Sequence, residues 1–375
     1  MPTDYDHRSA AEQVAKIAAQ HAVDVDEGAR FPGATVKAAR EAGLLGLLSA
    51  EEVGGRGFAH REAAEVIERI ARECGSSAMV LTMHYAGTSV IEAYGPRAVR
   101  EAIARGEHLS TLAFSEAGSR SHFWAPLGTA TPAGEEVVLE ARKSWVTSAE
   151  HADSYVWSSR PAAGSEASSL WLVPRDATGL VVKGGFDGLG LRGNDSCPVE
   201  ASGVRIPASH RLGEDGGGFG VMMQTVLPLF SVLVSAGSIG LMEAAVAATC
   251  DHAGGMRYAH LDSKLADLPT IRAYVARMRI ELDKTRALWL DTISALEAGR
   301  EDAMLRVLEC KAASGEAAVS VLDTAMRVCG GLAFRKDVGV ERRFRDARAS
   351  MVMAPTSDQL FDFIGRAICG MELFD

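Results

Sequence analysis

Residues 216–242 carry no charged side chain, although Asp215 and Glu243 flank them. An apolar run of that length must either cross a bilayer or be enclosed by protein on all sides. Gln224, Thr225, Pro228 and several serines and glycines interrupt it, and its flanks are acidic rather than basic, which argues against a spanning helix. The expectation is a helix buried in a bundle, in a chain that does not enter a membrane. At 375 residues the chain is long enough to build two or three packed units around such a helix. Its net charge of −10, with no long basic block, makes nucleic acids and anionic membrane surfaces poor partners.

The hydrophobic period changes twice along the chain. Residues 8–107 space apolar side chains at three and four, with breaks at Gly75 and at Gly95-Pro96, and read as helical throughout. From residue 109 to Pro207 the texture is short β-branched or aromatic runs separated by Gly, Pro, Ser and Asp, as in a small antiparallel β-unit. A helical period then returns over 218–253, 265–298, 301–329 and 356–370, long helices with short connections that imply an antiparallel bundle. There is no βαβ repeat and no GxGxxG after a strand, so a nicotinamide cofactor on a Rossmann fold has no support. The six cysteines are scattered without a CxxC pair or a metal-ligand cluster, which points to reduced thiols in a cytoplasmic protein and to no metal. The N-terminal residues lack the apolar core of a secretory signal.

Four local patterns carry chemistry. A strand runs into a small-residue loop at Leu112-Ala113-Phe114-Ser115-Glu116-Ala117-Gly118-Ser119-Arg120-Ser121. Next come Lys143-Ser144-Trp145-Val146-Thr147-Ser148-Ala149, then Arg327-Val328-Cys329-Gly330-Gly331 at the close of a long helix. Last come Arg345-Asp346-Ala347-Arg348 and Ala354-Pro355-Thr356-Ser357-Asp358. A flat tricyclic ring needs an aromatic wall, for which Trp145 is the candidate, and polar partners such as the hydroxyls of Ser115 and Thr147. A pyrophosphate needs close backbone approach, which Gly330-Gly331 permits. Each pattern alone has an ordinary reading: a strand Trp in a core, a glycine pair as a helix C-cap, a charged run on a solvated helix face.

In this order the four patterns resemble those of the acyl-CoA dehydrogenase family of flavoproteins, over nearly the whole chain. Residues 41–47 with Gly54-Gly55-Arg56-Gly57 are similar to that family's N-terminal helical signature, and Val204-Arg205-Ile206-Pro207-Ala208, Leu212-Gly213 and Gly218-Phe219-Gly220 to its β-to-bundle junction. The resemblance implies an α+β fold: an N-terminal α-helical domain (1–108), a central antiparallel β-domain (109–212) and a C-terminal four-helix bundle (213–375), assembled as a homodimer or homotetramer. It implies FAD across the cleft, with its adenine end reaching a neighbouring subunit. Leu112, Phe114 and Ser115 would meet the flavin ring, Ser121 the ligand or cofactor, and Trp145 and Thr147 the N5 side. Arg327, Gly330 and Gly331 would form part of the nucleotide cradle, although Gln is usual where Arg327 stands. Thr356 and Asp358 match residues that close over the cofactor. Arg257 lies near the position of a pyrophosphate-binding arginine, one residue off in spacing and without the usual Phe-Gly after it.

The departures concern the reaction. The family's dehydrogenation removes an α-proton with a carboxylate while the β-hydrogen leaves as hydride, and such a base contributes roughly 10²–10⁴-fold. The usual glutamate position holds Ala354, the alternative one on the early bundle helix holds Phe230, and a frequent arginine is replaced by Ser231. His84, Glu243, His122 and Arg120 are the remaining polar candidates near the site. The leading expectation is α,β-dehydrogenation of an acyl thioester, on coenzyme A or a carrier protein, with electrons passed to a protein partner or oxygen. A hydroxylase using reduced flavin and oxygen needs no such base and is the alternative. A non-catalytic relic ranks behind both, because the cofactor contacts persist.

Overall fold

The computed structural model describes residues 5–119, 122–163, 168–258, 260 and 262–373; Arg120 and Ser121 therefore lie outside the described residues. The helical start comprises α1 (His7–Glu27), α2 (Gly33–Glu41), α3 (His60–Ala71), α4 (Gly75–Tyr94) and α5 (Arg97–Ala104). Asp6 caps α1 by accepting from the Arg8 and Ser9 amides. The helical period read through residues 42–58 does not become α-helix; only a 3-10 turn forms there, at Glu51–Val53. Gly43 turns to φ +74, the left-handed conformation that ends helices, and Leu44, Leu45 and Leu47 then pack into the core from a loop. Apolar spacing there records burial rather than backbone form.

Seven strands follow: β1 (Ser110–Ala113), β2 (Thr129–Ala133), β3 (Glu136–Val146), β4 (Ser154–Ser159), β5 (Ser169–Pro174), β6 (Leu180–Val182) and β7 (Cys197–Pro207). They form two sheets, ordered β1-β4-β5 and β2-β3-β7-β6. All pairs are antiparallel as expected except β1 with β4, which run parallel. Leu139, Tyr155, Trp157, Trp171, Val199 and Val204 fill the core of this unit.

The chain then enters α6 (Gly218–Val221), a π-helical turn at Met222–Val226, and α7 (Leu227–Gly255). A short hairpin, β8 (Arg257–Tyr258) and β9 (Ser263–Lys264), leads to α8 (Pro269–Glu297), α9 (Ala303–Cys329), α10 (Val340–Ala347), α11 (Ala349–Val352) and α12 (Ser357–Ile368). The uncharged run becomes α7, and the most apolar window of helix Gly218–Gly255 is 89% buried. Helix Ala303–Phe334 is also apolar enough to cross a membrane by length and composition, with 44% of its window buried. The contact of α7 with α3 is close enough to require a glycine: a Cβ on Gly240 would lie 2.4 Å from the Glu68 carbonyl oxygen. Across the bundle, the Trp289 indole of α8 donates to the Val232 carbonyl of α7 at 3.1 Å.

Candidate functional site

The first and second patterns lie side by side at the ends of β1 and β3. Ser144 N–H donates to Ser115 O (2.9 Å), and the Thr111 hydroxyl donates to Thr147 O (2.8 Å). Below them Lys143 is buried and donates to Glu116 Oε1 (2.5 Å), Ser158 O (2.7 Å) and Ser158 Oγ (2.8 Å). Burial pulls its pKa down to about 8, against the pull of Glu116. The β3–β7 register slips between Lys143 and Val146. At this bulge Trp145 takes φ +57 and its side chain is 70% exposed, the reverse of a core tryptophan. Thr147 is buried, with its hydroxyl 3.0 Å from Ser196 Oγ. Leu112 and Phe114 are buried, and Ser115 is half-buried. Of these five residues only Trp145 is exposed and Ser115 half-buried; Leu112, Phe114 and Thr147 lie buried behind them.

A second surface adjoins this one through shared apolar packing. Leu112 and Phe114 belong to a cluster that also touches Met83, Phe230 and Ala354, all partly buried. Met83 and Phe230 also pack on a second cluster of Met79, Leu191 and Val234, with Ala349 and Met353 against it. Lys311 of α9 fixes the segment around Ala354: its ammonium is buried and donates to Met353 O (2.9 Å) and Pro355 O (2.7 Å). Burial alone pulls its pKa down to about 7. Behind this segment lies a cavity of about 30 Å³ whose lining includes Gly75, Met79, Thr82, Val234, Ser238 and Asp346. Asp346 accepts from the Leu191 amide at 2.6 Å, and burial pushes its pKa up to about 6.

The residues expected at the nucleotide end lie elsewhere. Arg327 is exposed and reaches Tyr274 of α8, with its guanidinium carbon 5.6 Å from the ring centroid. Gly330, at φ +58, and Gly331 have open space where a side chain would stand. Arg257, on the β8–β9 hairpin, pairs with Asp262 at 3.3 Å and remains largely exposed. Thr356 caps α12, accepting from Gln359 N–H at 3.4 Å, and Asp358 is exposed in its first turn. Lys311, beside Pro355, and Gly330 lie along one helix, nineteen residues and therefore about 28 Å apart at 1.5 Å per residue. Within one chain the glycine pair and Thr356 are thus not brought together.

Among the described residues, His84 and Glu243 are engaged elsewhere; Arg120 lies outside them. His84 is buried; Ser110 N–H donates to its Nδ1 (3.1 Å), leaving Nε2–H to donate to Leu45 O (2.9 Å). Burial lowers its pKa to about 4, so it is a neutral structural group. Glu243 is held in ion pairs by Arg286 (2.9 Å) and Arg279 (3.4 Å) of α8. His122 is exposed, and Ser231 is buried with an unpartnered hydroxyl. The solvated-face reading of Arg345-Asp346-Ala347-Arg348 fails too: Asp346 is buried, and Arg345 bridges Asp26 and Glu341. Sequence spacing missed Lys311 altogether, since a lysine on an amphipathic helix reads as solvent-facing unless its tertiary neighbours are known.

The chain thus sets a β-unit between two helical units, with an outward indole on a strand bulge and an open glycine pair at a helix end. The N-terminal, middle and C-terminal domain profiles of acyl-CoA dehydrogenases match residues 6–106, 111–204 and 216–369. The human mitochondrial short-chain specific acyl-CoA dehydrogenase is 30% identical over 347 residues, covering 90% of this chain and 82% of that protein. The butyryl-CoA dehydrogenase of Megasphaera elsdenii superposes with a TM-score of 0.90 at 19% identity, covering 97% of this chain and 98% of that one. The prolyl acyl carrier protein oxidase AnaB gives a TM-score of 0.88 at 18% identity, over 96% and 98% of the two chains. The chain belongs to the acyl-CoA dehydrogenase family, and it is an FAD-dependent oxidoreductase.

Proposed function

We propose that this protein catalyses FAD-dependent α,β-dehydrogenation of a small acyl thioester, borne on coenzyme A or on a carrier protein. The observation that carries the reading is the shared apolar packing that links Leu112 and Phe114 with Phe230 and Ala354, and Phe230 in turn with the cluster that Met353 packs on. Trp145, Thr147, Leu112, Phe114 and Ser115 fit the ring of FAD, and Thr356 and Asp358 fit its closure at the start of α12. Ser121 is assigned to ligand or cofactor from its sequence position alone. Arg327, Gly330, Gly331 and Arg257 fit the nucleotide end contributed by a neighbouring subunit, in a homodimer or homotetramer. When bound, FAD supplies the hydride acceptor for the β-carbon; reoxidation falls to an electron-transfer partner or to oxygen.

The chain's own contribution is positioning. Lys311 holds the carbonyls on both sides of Ala354, so the floor of the chamber is fixed without a carboxylate. Phe230 and Ala354 keep that floor apolar and exclude water from the reacting carbons. The group that takes the α-proton is neither of the two usual glutamates. The same feature favours one second reading, hydroxylation with reduced flavin and oxygen, which has no α-proton to remove.

The test is anaerobic mixing of the FAD-loaded protein with short acyl thioesters of coenzyme A, pantetheine and carrier protein. Bleaching of the oxidised flavin is expected with at least one. No bleaching across the panel, together with oxygen-dependent product heavier by one oxygen atom when reduced flavin is supplied, would replace the first reading with the second.

A further inference from the structure

We infer that the buried Lys143–Glu116 pair is a positioning device for the flavin wall: it pins the bulge that turns Trp145 outward and the strand end that carries Ser115, without reaching the cofactor itself. The inference rests on the placement of the flavin ring at Trp145 and Ser115 in the proposed function, and it names the residues that hold that placement.

The pair sits at the seam between the two sheets. Lys143 belongs to β3 of one sheet, and its ammonium donates to Ser158 O (2.7 Å) and Ser158 Oγ (2.8 Å) on β4 of the other. Its third bond goes to Glu116 Oε1 at 2.5 Å, just beyond the end of β1. There the chain has changed partners. β1 pairs with β4, but Glu116 forms an isolated antiparallel bridge with Lys143, and Ser144 N–H donates to Ser115 O at 2.9 Å. The other oxygen of Glu116 accepts from the Leu127 amide (2.6 Å) and the Gly128 amide (2.9 Å), so one carboxylate holds both ends of the connection to β2. β3, β4 and both ends of that connection therefore meet on two side chains that are 0% and 3% exposed.

Ser115 stands one residue before Glu116, and Trp145 two residues after Lys143. On a regular strand Lys143 and Trp145 would share a face. Here the lysine is in the core and the indole is 70% exposed. Lys143 pairs with Val199 and Val146 with Cys197, so three steps along β3 match two along β7 and one residue is left over. Trp145 stands in that bulge at φ +57, a left-handed conformation that a bulky side chain keeps only where its surroundings impose it. A bulge that slips by one position turns residues to the opposite face of the strand. Lys143 opposes the slip, because all three protons of its ammonium are engaged and would lose their partners if it turned. An ion pair this deep is weak evidence for stability, since apolar side chains of similar volume fill such a site as well. Its distinctive effect is on geometry, and that effect can be measured apart from stability.

The experiment is a mutant cycle on FAD affinity rather than on turnover, read by flavin fluorescence. The pair is neutralised as Lys143→Met with Glu116→Gln, which fills the space and leaves a side-chain oxygen for the Leu127 and Gly128 amides. This variant and Trp145→Ala are each expected to bind FAD about tenfold more weakly, and the triple variant no more than about twofold more weakly than Trp145→Ala. A pair that only stabilises the fold lowers the urea midpoint of the flavin-free protein, and its effect on affinity multiplies with that of Trp145→Ala. If the neutralised pair does not fold, Glu116→Asp keeps the charge, shortens the reach to Lys143 and enters the same cycle. Losses that multiply to about a hundredfold, or wild-type affinity in the neutralised pair, overturn this inference and leave the ring's placement standing. Unchanged affinity in Trp145→Ala overturns that placement, and this inference with it.

Discussion

Lys143, Lys311 and His84 show three ways in which this protein accommodates a buried ionisable side chain. Lys143 is paired with Glu116 and bonded to a serine, Lys311 is solvated by two backbone carbonyls, and His84 is held neutral by burial, with an amide donating to its Nδ1. Replacing Glu116 by Gln leaves a buried ammonium without its counter-charge, and such losses cost about 3–5 kcal/mol. The urea midpoint of Glu116→Gln is expected to fall accordingly, and less in the double variant with Lys143→Met than the two single losses summed. His84 has a folded pKa of about 4 against an ordinary 6.5. The unfolded chain therefore binds the extra proton first, so stability from this residue is complete above about pH 6.5 and is lost as pH falls toward 4. That loss amounts to about 3 kcal/mol at 1.36 kcal/mol per unit. Urea midpoints between these pH values should drop in the wild type and flatten in His84→Gln.

At the scale of elements, the strand that offers Trp145 was legible in part. Alternating residues of β3 face the core, as its β-branched and aromatic composition suggests. The bulge that turns Trp145 outward was not legible, because it is set by the register of β7, a strand some fifty residues later in the chain. Since the indole is exposed, Trp145→Ala is expected to change stability by no more than about 0.5 kcal/mol. Its affinity for FAD should fall by about tenfold, measured by flavin fluorescence; unchanged affinity would remove Trp145 from the ring wall. Residues 42–58 failed in the opposite sense. Their helical spacing is real, yet Gly43 ends α2 and the leucines reach the core from a loop. Short apolar runs fix what is buried more reliably than the backbone that buries it.

For the whole molecule, α9 sets the distances. Its Lys311 end serves the chamber and its Gly330 end lies about 28 Å away at the helical rise, so one chain cannot offer both to one pyrophosphate. A flavin shared between subunits would link cofactor binding to assembly. Removing FAD, or changing Arg327 to Ala, is expected to shift sedimentation toward smaller species at low protein concentration. An unaltered distribution in the flavin-free protein would confine the cofactor to a single chain.

The sequence by itself determined the order of helical, β and helical units and the burial of the uncharged run. Those features are local, written in period, composition and identity at given positions. Only the tertiary structure decided that Trp145 faces outward, that Lys311 ends beneath Ala354, and that Asp346 is buried against the Leu191 amide. Each of these depends on partners distant in the chain, and the environment of a side chain is a property of the packed whole rather than of its neighbours in sequence.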